Sequence, residues 1–290
     1  MNLGKQIKNY RKQTGMSQEK MAEKIGVSRQ AITKWETDAG IPDIENLIAI
    51  AKLFEISMDE LLSNERKQYE YIYESRTEYD IDSRKDYDVN LGSGYSVTLK
   101  AWDGEKIIVS LLSNILDKLQ SNYKIKIDDK KNIIDLDIQR LNDATATDAK
   151  KDLMIQVLIP HKYMGKIEIA LNAKKLNIFN IENEKIEVNG KVNEVTLEGN
   201  KSKIEIDSNA DMQINLVSHK GAIELNQLSA VSKLIIPNDY HFKTKRKGIA
   251  THIYYEYQGK KAEDYSNPEA NNYIEFNGMK SELIISKVKV

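Results

Sequence analysis

Arg29, Gln30, Thr33 and Lys34 bring a guanidinium, an amide, a hydroxyl and an ammonium close together in the chain. On a helix these four positions fall on one side. Arginine and lysine donate to the acceptor edge of guanine, and glutamine pairs with adenine, so the set has the chemistry to read base edges in a DNA major groove. Placing it there takes two helices and a sharp turn. Ser17 and Ser28 each stand where a helix N-cap belongs, because a serine oxygen accepts from the unpaired amide two or three residues on. Between them, Met21, Ala22 and Ile25 give one apolar helix face, and Gly26 supplies the backbone freedom of a tight turn. Ile32 and Trp35 repeat the inward spacing in the second helix. The competing reading is an ordinary solvated helix face. It is disfavoured because caps, turn and apolar positions all agree with a helix-turn-helix.

Residues 3–62 resemble the bacterial and phage repressor domain of the Cro/C1 type, the XRE family. The resemblance rests on Arg11 before GMSQ, the block MAEKIGVS, the run SRQAITKWE, Pro42 and Asp43 opening the next helix, LIAIAKLF and MDELL. It implies a five-helix lambda-repressor-like domain whose second motif helix enters the major groove. By position it implies that Arg29, Gln30 and Lys34 face bases with Thr33 beside them, and that Ser28 belongs to the same DNA-binding set. It further implies that Gln18 holds a phosphate and that Arg11 and Glu36 form a structural ion pair. One departure is Asp38, which stands where many relatives have glycine, with Gly40 later; the loop's phosphate contacts do not carry over.

Charge resolved along the chain supports this placement, although the whole protein carries a formal net charge of -1. Met1 to Lys34 holds eight Lys or Arg against Glu19 and Glu23, whereas 35–65 holds eight acids against Lys52 alone. Phosphate attraction therefore comes from one side of the domain and weakens with salt. One such domain reads few base pairs, while useful specificity needs a preference of about 10³ to 10⁷ over random DNA. The expected partner is therefore double-stranded DNA carrying a palindromic operator, bound by a homodimer.

The remaining length leaves room for a second core. The absence of cysteine excludes disulfides and thiolate metal sites. No apolar run approaches the roughly 20 residues that span a bilayer, and MNLGKQIKNYRK lacks a signal core, so a cytoplasmic protein with no membrane partner is expected. Residues 63–78 read as linker or helical extension. From Tyr79 the apolar period becomes two, giving strands around Tyr95–Leu99, 107–109, 123–127 and 134–138. Leu112, Ile115, Leu116 and Leu119 fit a helix, and 142–151 reads as a loop by composition.

Beyond Leu153, alternating apolar pairs begin at Ile167, Leu176, Ile186, Val195, Ile204, Ile214, Ile223 and Leu234, with spacings of 9, 10, 9, 9, 10, 9 and 11. Later strands are expected at 249–257, 273–276 and 283–290. So regular a series predicts a β-solenoid or an elongated sandwich over 79–290. With its WDG turn, the LIP segment and the closing NGMKSELIIS, the repeat also resembles bacterial adhesin domains with β-solenoid-like repeats, which implies a regulatory or assembly module. The fold class expected is therefore a helical 1–62 domain followed by a mostly β repeat domain.

Catalysis is not expected. The acids between strands are scattered among Asn and Lys, and His161, His219, His241 and His252 show no metal-ligand spacing, so no metal or cofactor is implied. Each histidine reads as a surface or hydrogen-bonded structural residue. Lys243, Lys245, Arg246 and Lys247 read as a solvated loop rather than a second DNA grip. Tyr254, Tyr255 and Tyr257 are explained by strand alternation. The sequence thus favours a DNA-binding regulator with an oligomerising or effector-sensing β domain; the effector is unknown. The alternative is a β scaffold whose helical head merely targets it to DNA.

Overall fold

The computed structural model describes residues 3–14, 16–37, 39–54, 56, 58, 61 and 71–288. The chain divides into two compact units, Met1–Glu70 and Tyr71–Val290. In the first, four helices are described: α1 (Leu3–Gln13), α2 (Gln18–Ile25), α3 (Arg29–Glu36) and α4 (Ile44–Leu53). Ser17, Ser28 and Asp43 cap the last three by accepting from Lys20, Ala31 and Asn46 amides. Gly26 ends α2 at φ 82, the left-handed region where a β-carbon clashes with the following carbonyl. Ile7, Met21, Ile32, Ile50 and Leu61 are fully buried, and Tyr10 stacks on Phe54 at 5.3 Å. The fifth helix expected at MDELL lies largely outside the described residues, as does Asp38.

Among the described residues the second unit holds sixteen strands in one hydrogen-bonded sheet. They are β1 (Tyr73–Asp80), β2 (Lys85–Trp102), β3 (Lys106–Ser113), β4 (Tyr123–Lys130), β5 (Ile133–Arg140), β6 (Met154–Pro160), β7 (Met164–Phe179) and β8 (Glu182–Glu198). There follow β9 (Asn200–Asp207), β10 (Met212–Leu216), β11 (His219–Lys220), β12 (Ala222–Leu228), β13 (Val231–Pro237), β14 (Phe242–Tyr257), β15 (Lys260–Ala262) and β16 (Asn272–Val288). Two short helices, α5 (Leu119–Asn122) and α6 (Ala146–Asp152), bring the α-helices among the described residues to six rather than five.

The repeat spacing counts strands but does not say which strands pair. Ile167 lies opposite Ile186, not Leu176; Ile186 then lies opposite Ile204, Ile204 opposite Ile223, and Ile223 opposite Ile274. The alternate members form a second row, Leu176, Val195, Ile214, Leu234 and Ile285. Every one of these ten side chains has an exposure of 0–1%. Burying each contributes about 1.5–3 kcal/mol, which is why the pattern is so strict. The long strands β8 and β16 join the rows. β8 pairs with β9 through residues 182–189 and with β10 through residues 194–197. β16 does the same with β12 and β13. The path β8-β10-β13-β16-β12-β9-β8 therefore closes on itself. The expected solenoid is corrected to a closed, mainly parallel barrel. Gly190, at φ 134, makes the bend within β8, where a β-carbon would overlap the Leu171 carbonyl.

Local readings change for local reasons. The first strand begins at Tyr73, ahead of the expected change of period. The helix expected over 112–119 is replaced by the end of β3 and a turn. Asp152 holds that turn, its carboxylate accepting from Ser113 Oγ and the amides of Asn114 and Ile115. Thr145 turns the expected 142–151 loop into a helix by capping Asp148 at 3.1 Å. The basic run 243–247 lies in β14 rather than in a loop. Lys245 and Lys247 pair there with Glu275 on the neighbouring strand. Among the tyrosines, Tyr255 is buried while Tyr254 and Tyr257 are exposed.

Candidate nucleic-acid interface

Helix α3 is short, and its two sides are sharply divided. Ile32, Trp35 and Glu36 are buried, whereas Arg29, Gln30, Thr33 and Lys34 are exposed, with Ser28 exposed at the cap. Ala31 Nα donates to Ser28 Oγ at 3.2 Å, so the start of the helix is fixed before any ligand arrives. Arg29 lies 3.8 Å from Glu19, with both side chains mostly exposed. Such a contact is worth little in water and leaves the guanidinium available.

Behind this face lies a buried polar network. Arg11 Nε and Nη2 donate to the two Glu36 carboxylate oxygens at 2.5 and 2.9 Å, and Arg11 Nη1 donates to the Met16 carbonyl at 2.7 Å. Gln18 Nε2 donates to Glu36 Oε2 at 2.9 Å, and Thr33 Oγ1 donates to Gln18 Oε1 at 3.2 Å. Burial pushes the Glu36 carboxyl up, but hydrogen bonds from Arg11 and Gln18 outweigh it and hold the group below the usual carboxylate range. The chain of bonds ties α1, the start of α2 and the reading face of α3 together. It also occupies both ends of the Gln18 amide in the protein alone. Beside the phosphate contact that the resemblance implies, Gln18 has this intramolecular role, for which its neighbours in sequence carry no signal.

The β unit places other residues differently from their sequence reading. His161 is exposed and lies 4.0 Å from Asp103, and His252 stacks on Tyr254 at 6.0 Å. His219 is buried, 5% exposed, so of its two readings, surface or structural, the surface one is excluded. The acids expected to be scattered are stacked. Asp128, Asp135, Asp88, Glu168, Glu187, Glu205, Glu224 and Glu275 lie opposite one another across neighbouring strands. Like charges at strand spacing repel. Interleaved lysines offset this, Lys185 reaching Glu187 at 2.6 Å and Glu205 at 2.8 Å, and Lys203 reaching Glu224 at 2.7 Å. Among the described residues no group of carboxylates or histidines has the geometry to hold a metal ion. None of the described helices is long and apolar enough to cross a membrane.

Residues 7–61 match the helix-turn-helix family model. The N-terminal unit is thus a helix-turn-helix domain of the Cro/C1 type. Its relatives include the transcriptional activator BcrR of Enterococcus faecalis, 37% identical over 25% of this chain and 43% of that protein. The repressor RstR of a cryptic Vibrio cholerae phage is 41% identical over 21% of this chain and 54% of its own length. The chain spans about half the length of these curated relatives. The P22 c2 repressor, solved with a synthetic operator, is 34% identical at a TM-score of 0.22, covering 22% of this chain and 98% of that one. A cell-adhesion-type protein from Clostridium sporogenes is 14% identical at a TM-score of 0.36, covering 74% of this chain and all of that one.

Proposed function

We propose that the chain regulates transcription by occupying operator DNA through residues 1–62. Arg29, Gln30 and Lys34 meet base edges, Thr33 lies beside them, and Ser28 and Gln18 lie near phosphates. The observation that carries this reading is the division of α3, on which Arg29, Gln30, Thr33 and Lys34 are all exposed, with Ser28 exposed at its cap. Gln18 has a double role: it links Glu36 to Thr33 in the free protein and exchanges one of those bonds for a phosphate on DNA. Two copies bind the half-sites of a palindrome, and residues 79–290 supply dimer contacts or sense an effector. The activator and repressors among the relatives support regulation without fixing its sign. On this reading the protein acts in the cytoplasm, where its DNA lies.

Selection of bound fragments from random duplex by the full chain, read by sequencing, tests the proposal. One enriched palindrome with half-sites about one helical turn apart is expected. Recovery of fragments with no shared motif would overturn it.

A further inference from the structure

Strand β14 lies at an edge of the sheet. It pairs with β16 along its length, and on its other side only Tyr255, Glu256 and Tyr257 have a neighbour, the short β15. The Phe242 carbonyl is taken by the Asn267 amide at 2.7 Å. Residues 243–254 therefore present an edge with no strand beside it among the described residues. Two carbonyls here are held by side chains: Arg246 Nη1 donates to the Thr251 carbonyl at 3.1 Å, and Thr251 Oγ1 donates to the Ile249 carbonyl at 3.3 Å. An edge without a neighbour is a template for another strand.

β14 bends at its middle, where Ala250, and Lys280 beside it on β16, have positive φ of 51 and 53. The bend exchanges the positions that face the core. Before it, Thr244 and Arg246 lie opposite the buried Ile274 and Phe276; after it, Thr251 and Ile253 lie opposite the buried Ser281 and Leu283. On the outside of the bend three apolar side chains stand in one row across neighbouring strands, Leu228, Met279 and Ile249, which are 47%, 49% and 73% exposed. Single exposed apolar residues are ordinary, but this row runs up to the open edge and stops there.

The residues of the edge select what completes it. Its first half carries Lys243, Lys245, Arg246 and Lys247, and its second half carries neither lysine nor arginine. A second copy running antiparallel, with Gly248 of one copy opposite Ile249 of the other, uses the whole of 243–254. It sets Thr244 opposite Ile253 and Arg246 opposite Thr251, so core-facing positions meet. Lys243 opposite Tyr254, Lys245 opposite His252 and Lys247 opposite Ala250 then share the outer side. No lysine or arginine faces another. Parallel pairing in register would set each cation against its own copy, and an antiparallel shift of one residue would set core-facing positions against outer ones. Lysines along an edge ordinarily guard it, but Lys245 and Lys247 are drawn to Glu275 on the inner neighbour.

We propose that two copies of the chain dimerise through β14, pairing antiparallel over 243–254 about a two-fold axis between Gly248 and Ile249. The two sheets become continuous, and Ile249, Met279 and Leu228 of each copy join in one apolar row. In its purpose the interface rests on the operator reading, since it supplies the dimer contacts assigned there to the β unit.

The chain has no cysteine, so Ile249→Cys introduces its only thiol. Across the two-fold axis the two thiols fall within disulfide range, and mild oxidation of the full chain should give a covalent dimer about tenfold faster than Val217→Cys does. Val217, 51% exposed, lies away from β14 and serves as the control. In sedimentation velocity the parent should be a dimer, Ile249→Lys and Ile249→Glu should each weaken it by about tenfold or more, and an equimolar mixture of the two should restore it. Ile249 is exposed, so these variants keep the fold. A monomeric parent, an undiminished Ile249→Lys dimer, or cross-linking no faster than that of Val217→Cys would each overturn the proposal. An enriched palindrome alongside an undiminished Ile249→Lys dimer would remove this interface and keep the operator reading. A charge-sensitive dimer that selects no shared motif would do the reverse.

Discussion

The reading face of α3 and a corner of the β unit solve opposite problems with similar side chains. On α3 the polar groups are exposed, local in sequence, and supported from behind by a satisfied network through Arg11, Glu36 and Gln18. At the corner formed by Asn200, His219, Tyr240 and Asn272, His219 and Tyr240 are buried and come from distant segments, and the Tyr240 hydroxyl lacks a partner. An exposed group needs no partner because water serves it until DNA replaces the water. The comparison teaches that exposed polar groups are carried cheaply, whereas a buried group without a partner is maintained at a standing thermodynamic cost.

The largest test concerns the support of α3. Glu36→Gln leaves the Arg11 guanidinium buried without its counter-charge, and urea denaturation of the helical unit should show a loss of about 3–5 kcal/mol. A loss below 1 kcal/mol would mean that the network only orients the face. Next comes acid. His219 titrates near 4 in the folded chain against its ordinary 6.5, so the unfolded state binds more protons between these values. Stability from this residue is present above pH 6.5 and is lost as pH falls toward 4, by up to about 3 kcal/mol. Comparing denaturation of the β unit at pH 7 and 4.5 for the parent and His219→Gln should show a shallower pH dependence in the variant. Identical slopes would remove the corner from the comparison.

Smaller effects belong to the exposed face. Arg29→Ala should cost about 1–3 kcal/mol on the selected operator and much less on random duplex, read by fluorescence anisotropy at fixed salt. Equal losses on both would reduce Arg29 to a phosphate contact. Ser28→Ala removes the cap and should cost about 1 kcal/mol in thermal unfolding of the helical unit. It should leave the β unit unchanged.

The helical unit was largely legible because its signals are short-range. A serine cap, a left-handed glycine and an apolar face all act within one or two turns, so Ser17, Gly26, Ser28, Ile32 and Trp35 could be placed from spacing alone. The bond from Gln18 to Glu36 was not legible, because the two residues lie eighteen positions apart in the chain. In the β unit the period-two signal located strands but not partners. Opposing Ile167 to Ile186 rather than to Leu176 is a choice made by the path of the whole chain, and it turned the expected solenoid into a closed barrel. The same blindness hid the stacked carboxylates, which look scattered along the chain and align only across strands. His219 and Tyr240 gave no signal at all, since their burial is a property of the folded surroundings.

The position of β16 has a consequence for how the chain is made. One half of β16 lies between β12 and β14, the other between β13 and β14, although β14 precedes it in the chain. During synthesis β14 emerges with Phe242 and Tyr255 ready for burial but with no parallel neighbour to receive it. It must wait, at the ribosome's pace of about 5–20 residues per second, for β16 to slide between it and the strands already docked. That interval is when a strand with an unpaired edge is open to a wrong neighbour, and β16 ends it by acting as a keystone.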